Sequence, residues 1–462
     1  VSAALASIAE GLPATIELAF AAFVAAVVLG ALGGFVRARA RAPLLRGALA
    51  VPQLLGRALP VVVVALLLQL LLMFKTQVPI AGIASSDLFD VRDRLSHLIA
   101  PVLILALPFG AWASLVFFEF FRDAGDAALV SVRGLLGQVA RTAASLGPAL
   151  LAASVLIEPR FAWPGAGRSF LSGVSQLDLG MAAAFLLMYS AGIVLIKLCG
   201  KLAPAVPERK PPRPPDRKTR LSTIGICALV VLIAAALAAV AANLIAPIGP
   251  YYIDQANWDG YPLAPGVAGH VLGTEENGRD LLARLLVGMR TSLGIAALAA
   301  LVATSIGALV AKAAKVAAWF GGRDALSVTG IRPFAAFPFI LAIVALLVAI
   351  RGTTNDLNPL TIALIIAAVS WPAIVPAFRA RGPATAGGVV DLAACALLLE
   401  ITMSIGGFGV QPPTPSLGNM LVNAQSSIAF APWIVLAPTV VIVVMLFALY
   451  TIGDELRDAG RS

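Results

Sequence analysis

Histidine is nearly missing from this sequence: His97 and His270 are the only two in 462 residues. Cysteine is almost as scarce, with Cys199, Cys227 and Cys395, each in or beside an apolar segment. So few ligands, so far apart, form no metal-binding spacing and no disulfide framework. They offer no nucleophile–base pairing either, so neither a metal site nor a catalytic residue is expected. A phosphate-binding loop is missing too. Gly200–Lys201 is the lone Gly-Lys pair, and Leu202 follows where such a loop needs Ser or Thr. Charge is the last shortage. Only 12% of residues are Asp, Glu, Lys or Arg, against about a quarter in a soluble domain.

What fills the chain is hydrocarbon. The sequence is 60% hydrophobic, with a mean hydropathy of +0.95. Too little polar surface remains to cover a soluble core. Apolar stretches of roughly 20 residues recur, the length that crosses a bilayer as a helix. Their Ala, Leu and Val content lacks the alternation of a barrel strand. The net charge of +9 does not imply nucleic acid, because membrane proteins collect Lys and Arg in cytoplasmic loops. Many further spans follow the first, so it does not read as a cleaved signal peptide.

About eleven spans are expected. The first half offers Ala14–Val36, Ala58–Phe74, Leu98–Phe118, Thr142–Ile157 and Met181–Gly200. The second offers Leu221–Ile245, Ser292–Ala313, Ile331–Ile350, Leu360–Phe378, Val389–Ile405 and Trp433–Ile452. Between them runs Pro204–Arg220, containing PERKPPRPPDRKTR, a semi-rigid hydrophilic linker because proline removes backbone donors and favours extension. It divides the chain into residues 1–203, 204–220 and 221–462. With the linker in the cytoplasm, inner loops hold roughly 23 Lys and Arg and outer loops about 9. Val1 is then outside and Ser462 inside. Lys197 reads as a snorkelling side chain, and the six tryptophans as mostly interfacial anchors.

Both halves contain a span that ends near a glutamate, then a Gly/Pro-rich outer segment, then a final span. The first reads LIEPRFAWPGAGR (Leu156 to Arg168), the second LLEITMSIGGFGVQPPTPSLGNM (Leu398 to Met420). Repeats of this kind are common in transporters, with the path running between them. Glu158 and Glu400 take the same place in the two repeats. A carboxylate at membrane depth usually faces the bundle interior or water, which makes both candidates for a pathway or gate. The plainer alternative is an interfacial residue paired with a neighbour such as Arg160.

Residues His270 to Gly294 read HVLGTEENGRDLLARLLVGMRTSLG. This resembles the signature ahead of the second span in one permease subunit of dipeptide, oligopeptide and nickel ABC importers, whose H-P-L-G-T-D-x-x-G-R-D core opens a short amphipathic helix on the outer side. His270, Gly273, Thr274, Gly278, Arg279 and Asp280 match; Val271 and Glu275 depart. Thr274 is expected to cap that helix, with Glu275 and Glu276 in its first turn. GFGVQPPTPSLGNM (Gly407 to Met420) with Ala431–Trp433 is similar to the late outer loop of the same subunit. GLPATIELAF (Gly11 to Phe20) and FAWPGAGRSFL (Phe161 to Leu171) look like the partner permease.

The resemblance implies an all-α, polytopic protein of about 11 transmembrane helices in the bacterial cytoplasmic (inner) membrane. Two homologous type I ABC importer permease halves would pack as a pseudo-dimer, the first lacking the family's first span. It implies a permease and not an enzyme, with no cofactor of its own. ATP and Mg would sit on two partner ATPase subunits or domains, and an extracytoplasmic substrate-binding protein would deliver peptide or a related small solute. The family couples to its ATPase through a cytoplasmic E-A-A-x-x-x-G loop. Here the first-half loop keeps Ala127, Ala128 and Gly134, with Arg133, Leu135 and Leu136 beside them. The second-half loop, Arg379 to Gly388, is too short for an added docking helix. A non-transporting membrane scaffold therefore stands as the alternative, and an ion-driven carrier, with few buried acids to support it, as a third.

Overall fold

The computed structural model describes residues 2–75, 91–124, 132–176, 178–202, 221–246, 248–257, 259–319, 358–378, 383–422 and 427–459. These are helical apart from turns and two isolated β-bridges, Ile253 with Arg279 and Thr274 with Asp280. The linker, residues 204–220, and the expected span at 331–350 lie outside them. The described residues up to 202 form one compact unit and those from 221 onward another.

In the first unit the helices are α1 (Ser2–Arg39), α2 (Pro43–Ala48), α3 (Ala50–Ala58), α4 (Val61–Lys75), α5 (Val91–Ala124), α6 (Val132–Ile157), α7 (Ala166–Ser175) and α8 (Leu179–Leu202). Helix α1 lies along α5, and the sequence explains how closely. A Cβ on Gly30 would stand 2.4 Å from that of Ala113, and one on Gly34 2.7 Å from the Phe118 nitrogen. Glycines four apart let two membrane helices touch backbone to backbone, where packing has to replace the hydrophobic drive. Arg94 of α5 pairs with Glu17 of α1. Leu18, Ala22, Ala65, Ile104, Leu105 and Ile157 form the core, closed at one end by Phe161 and Trp163. Helix α7 is held on α8 by Phe170 against Phe185, ring centroids 4.4 Å apart.

The second unit contains α9 (Thr223–Val240), α10 (Ala242–Ile245), α11 (Leu281–Trp319), α12 (Pro359–Ser370), α13 (Pro383–Ile405) and α14 (Trp433–Ala459). Ser222 caps α9 by accepting the Gly225 N–H at 3.2 Å, and its own N–H donates to Glu455 of α14 at 2.8 Å. Asn358 caps α12 by accepting the Thr361 N–H at 2.8 Å, with Pro359 as the first helical residue.

Among the described residues eight helices are long and apolar enough to cross a membrane: α1, α5, α6, α8, α9, α11, α13 and α14. Large apolar side chains such as Phe20, Leu187 and Val240 face outward on them, as lipid contact requires. Of the eleven expected spans, the one at 331–350 lies outside the described residues, and two others form helices too short to count. Ala58–Phe74 becomes the 15-residue α4, because Pro60 breaks the chain from α3. Leu360–Phe378 becomes the 12-residue α12, whose regular hydrogen bonding ends at Trp371–Pro372 and gives way to 3-10 turns. Leu221–Ile245 breaks at Ala241. The span expected from Val389 begins earlier, at Pro383.

Candidate functional site

The second unit carries a compact loop, residues 248–257 and 259–280, ahead of α11. His270 is its hub, 1% exposed. Its Nδ1 lies 2.7 Å from Asp280 Oδ2 and its Nε2 3.3 Å from Asp254 Oδ2. Both carboxylates are served only when both ring nitrogens carry hydrogen. Asp280 also caps α11, because its Oδ1 accepts the Ala283 N–H at 2.7 Å. Thr274, expected to cap a helix, instead accepts the Leu263 N–H on its Oγ1 at 2.8 Å and ties two loop strands together. Glu275 and Glu276 therefore precede the helix and are not part of its first turn. No separate amphipathic helix forms; α11 starts at Leu281 and runs on into the span. The physical reason is that Gly273 and Gly278 adopt φ of +78° and +72°, a left-handed backbone that cannot propagate a helix. At Gly273 a Cβ would also stand 2.5 Å from the Leu263 oxygen.

Glu275 folds under the loop, its Oε2 2.6 Å from Arg284 Nε and its Oε1 3.3 Å from Arg279 Nη1. Burial holds its carboxyl above the usual carboxylate range, outweighing the two guanidiniums. Asp254 moves the other way. The hydrogen bond from Asn257 (2.9 Å) and then the contact with His270 hold it below the usual range. Trp433 Nε1–H donates to the Thr274 carbonyl at 3.3 Å, and Ser427 bonds Glu276, fastening the loop to α14 and the turn before it. All six matched motif residues thus belong to one small architecture.

Glu158 and Glu400 are fully buried, each in its own unit. Glu158 follows the last residue of α6. Its Oε1 accepts the Thr15 hydroxyl at 2.7 Å; its Oε2 accepts the N–H groups of Gly167 (2.7 Å) and Arg168 (3.2 Å) at the start of α7. The expected alternative, a pair with Arg160, gives way to these partners. Glu400 lies within α13, and its Oε1 accepts the Ser404 hydroxyl at 2.8 Å. Of the expected coupling residues, Arg133, Gly134, Leu135 and Leu136 form the first turns of α6. Val132, Leu135 and Leu136 are exposed there. Ala127 and Ala128 lie outside the described residues. Among the described residues no cluster of His, Cys, Asp or Glu could hold a metal ion.

Sequence reasoning missed Asp254, Thr15, Ser292 and the anchoring role of Trp163, whose Nε1–H donates to the Ala14 carbonyl at 2.9 Å. Asp254 sits 16 residues before His270 in a turn-rich stretch with no local signal. Thr15 and Ser292 did carry one: each follows a glycine by four residues, Gly11 and Gly288, within the segments already singled out.

No family model matches the sequence. Individual relatives do. The chain is 31% identical to the oligopeptide transport system permease protein OppC of Escherichia coli K12 over 268 residues, 51% of this chain and 85% of that protein. It is 29% identical to OppC of Mycobacterium tuberculosis H37Rv over 275 residues, 52% and 90% of the two chains. To the dipeptide transport system permease protein DppC of Haemophilus influenzae it is 28% identical over 269 residues, 50% and 88%. Through about half its length the chain therefore belongs to the OppC/DppC family of permease subunits of peptide ABC transport systems, non-catalytic multi-pass proteins of the bacterial inner membrane.

Proposed function

We propose that this single chain carries both permease halves of a peptide importer. Residues 1–203 are one half, 204–220 a cytoplasmic linker and 221–462 the other, and the halves pack as a pseudo-dimer around one translocation path. The observation that carries this reading is one of coverage. The relatives are matched over 85–90% of their own length by only about half of this chain. The rest of the chain is about as long as the matched part, and among the described residues four candidate spans precede the linker and four follow it. A linker of about 17 residues reaches roughly 50 Å when extended, enough to join neighbouring bundles.

In this reading an extracytoplasmic binding protein delivers a peptide or related small solute. Two ATPase subunits or domains, which hold ATP and Mg, drive the switch between outward and inward access. His270, Gly273, Thr274, Gly278, Arg279 and Asp280 build the outer-face loop of the second half. Glu158 and Glu400 act at the path or its gates. The ATPase docks on the segment Ala127, Ala128, Arg133, Gly134, Leu135 and Leu136, where the exposed apolar side chains of Val132, Leu135 and Leu136 offer a face for a groove. The test is composition and transport together. The purified complex should contain one copy of this chain per ATPase pair and take up peptide with ATP and the binding protein. Two copies per pair overturn the fusion. The scaffold reading is favoured by one feature, the four residues, 379–382, that separate Phe378 from α13. An assembled complex without peptide uptake would establish it.

A further inference from the structure

The two buried glutamates share more than their place in the sequence. In the first unit, Thr15 of α1 is buried, and its Oγ1 accepts the Ala166 N–H at 2.9 Å while its proton goes to Glu158. Gly11, one turn earlier, has no room for a side chain: a Cβ would stand 2.5 Å from that same Ala166 nitrogen. Gly167, the residue after Ala166, is as tight, 2.7 Å from Val155 Cα.

In the second unit, Ser292 of α11 is fully buried, and its Oγ accepts the Leu417 N–H at 3.0 Å. Gly288, one turn earlier, would place a Cβ 3.2 Å from the Ser416 carbonyl carbon and 3.4 Å from the Leu417 nitrogen. Gly418, the residue after Leu417, would place one 2.6 Å from the Ile401 oxygen. Glu400, fully buried, lies on the helix that ends just before this segment, and its Oε1 accepts the Ser404 hydroxyl at 2.8 Å. The pieces and their order are the same in both units. A glycine precedes a hydroxyl by one turn on a long helix. The hydroxyl accepts one backbone N–H of a returning segment, a glycine follows that residue, and a fully buried glutamate precedes the returning segment.

Chance does not favour such a match. Thr and Ser in membrane helices usually bond the carbonyl one turn back, as Thr451 does with Phe447. Thr15 keeps a long contact of that kind to the Gly11 carbonyl, 3.4 Å, but Thr15 and Ser292 each also accept an N–H from a segment more than 120 residues away. We infer that Thr15 and Ser292 are equivalent positions of two repeated halves, and that each, with the glutamate of its half, latches that half's returning segment onto the helix bearing the hydroxyl. The inference rests on the repeated-halves reading above and gives the two candidate gate glutamates a defined role. They are positioning residues, holding residues 166–168 and 416–418 so that the segments can be released as units.

The latches are not chemically identical. Glu158 bonds backbone N–H groups directly, so the first latch is fastened by carboxylate and hydroxyl together. At Glu400, Oε1 is taken by Ser404 while Oε2 is buried without a hydrogen bond, so the hydroxyl of Ser292 carries more of the second.

Amide hydrogen exchange on the purified full-length chain in nanodiscs, read by mass spectrometry, tests this. Thr15→Val should speed exchange across residues 163–169 at least tenfold and leave 416–421 unchanged. Ser292→Ala should do the reverse. Thr15→Ser, which keeps the hydroxyl, should exchange within twofold of the parent. The latch is refuted if Thr15→Val leaves residues 163–169 unchanged, if Thr15→Ser behaves like Thr15→Val, or if either variant loosens both segments together. Two copies of the chain per ATPase pair would refute the fused-halves reading while leaving this exchange pattern intact, so the two failures are distinct.

Discussion

Asp280 makes two unlike contacts with one carboxylate, so Asp280→Ala is an informative perturbation of the loop ahead of α11. Its Oδ1 caps the helix at the Ala283 N–H and its Oδ2 meets His270 Nδ1. Loss of a helix cap costs about 1 kcal/mol. Loss of a hydrogen bond involving a charged group costs about 1.5–3 kcal/mol. The loop should therefore open more easily by about 2.5–4 kcal/mol, because both contacts are buried. Local opening is read by exchange of amides bonded inside the loop: Gly273 to the His270 carbonyl, Thr274 to Leu263 and Leu281 to Gly273, each at 3.0 Å. At tenfold per 1.4 kcal/mol, their exchange should rise about 60- to 700-fold. Asp280→Asn keeps the cap and loses the charge, so its rise should be clearly smaller. A change below threefold in Asp280→Ala, or equal effects of the two variants, would show that Asp280 does not organise this loop.

Three further outcomes are expected. Trp163→Phe should destabilise the first unit by about 1–3 kcal/mol through the lost indole N–H bond to Ala14 and the smaller ring, and Trp163→Ala by about 3–5 kcal/mol, both measured by denaturant unfolding of residues 1–203 within the full chain. Leu135→Asp or Leu136→Asp should abolish association with the ATPase in a pull-down, because docking would bury an unpaired charge, whereas Thr385→Asp should not. Asp254 is held below its ordinary pKa, so its stabilisation is complete above the unfolded value of about 3.9 and lost as pH falls through the folded one. Loop exchange, corrected for the intrinsic rate, should accelerate only below about pH 4, and Asp254→Asn should remove that acid-side step.

Much of this protein was legible without coordinates. Shortage of charge and runs of apolar residues set the solvent, and a bilayer leaves helices as the only form for such runs. The HVLGTEENGRD and GFGVQPPTPSLGNM segments pointed to peptide-type permeases, and the relatives agree. Position along the chain suggested that Glu158 and Glu400 correspond, because both precede a Gly/Pro-rich return.

What the carboxylates and the motif bind was settled only in three dimensions. Local pattern made Thr274 a helix cap, yet two left-handed glycines keep the helix from starting before Leu281, and Asp280 takes that role. The hydrophobic length of 360–378 suggested a span, but backbone hydrogen bonding fails at Trp371–Pro372. Most of all, Thr15 meets Glu158 across 143 residues, and Ser292 meets Leu417 across 125. Periodicity and propensity act over a few turns. Which hydroxyl a buried carboxylate finds depends on how helices pack, and that is fixed by close glycine contacts such as Gly30 on Ala113, summed over the whole unit.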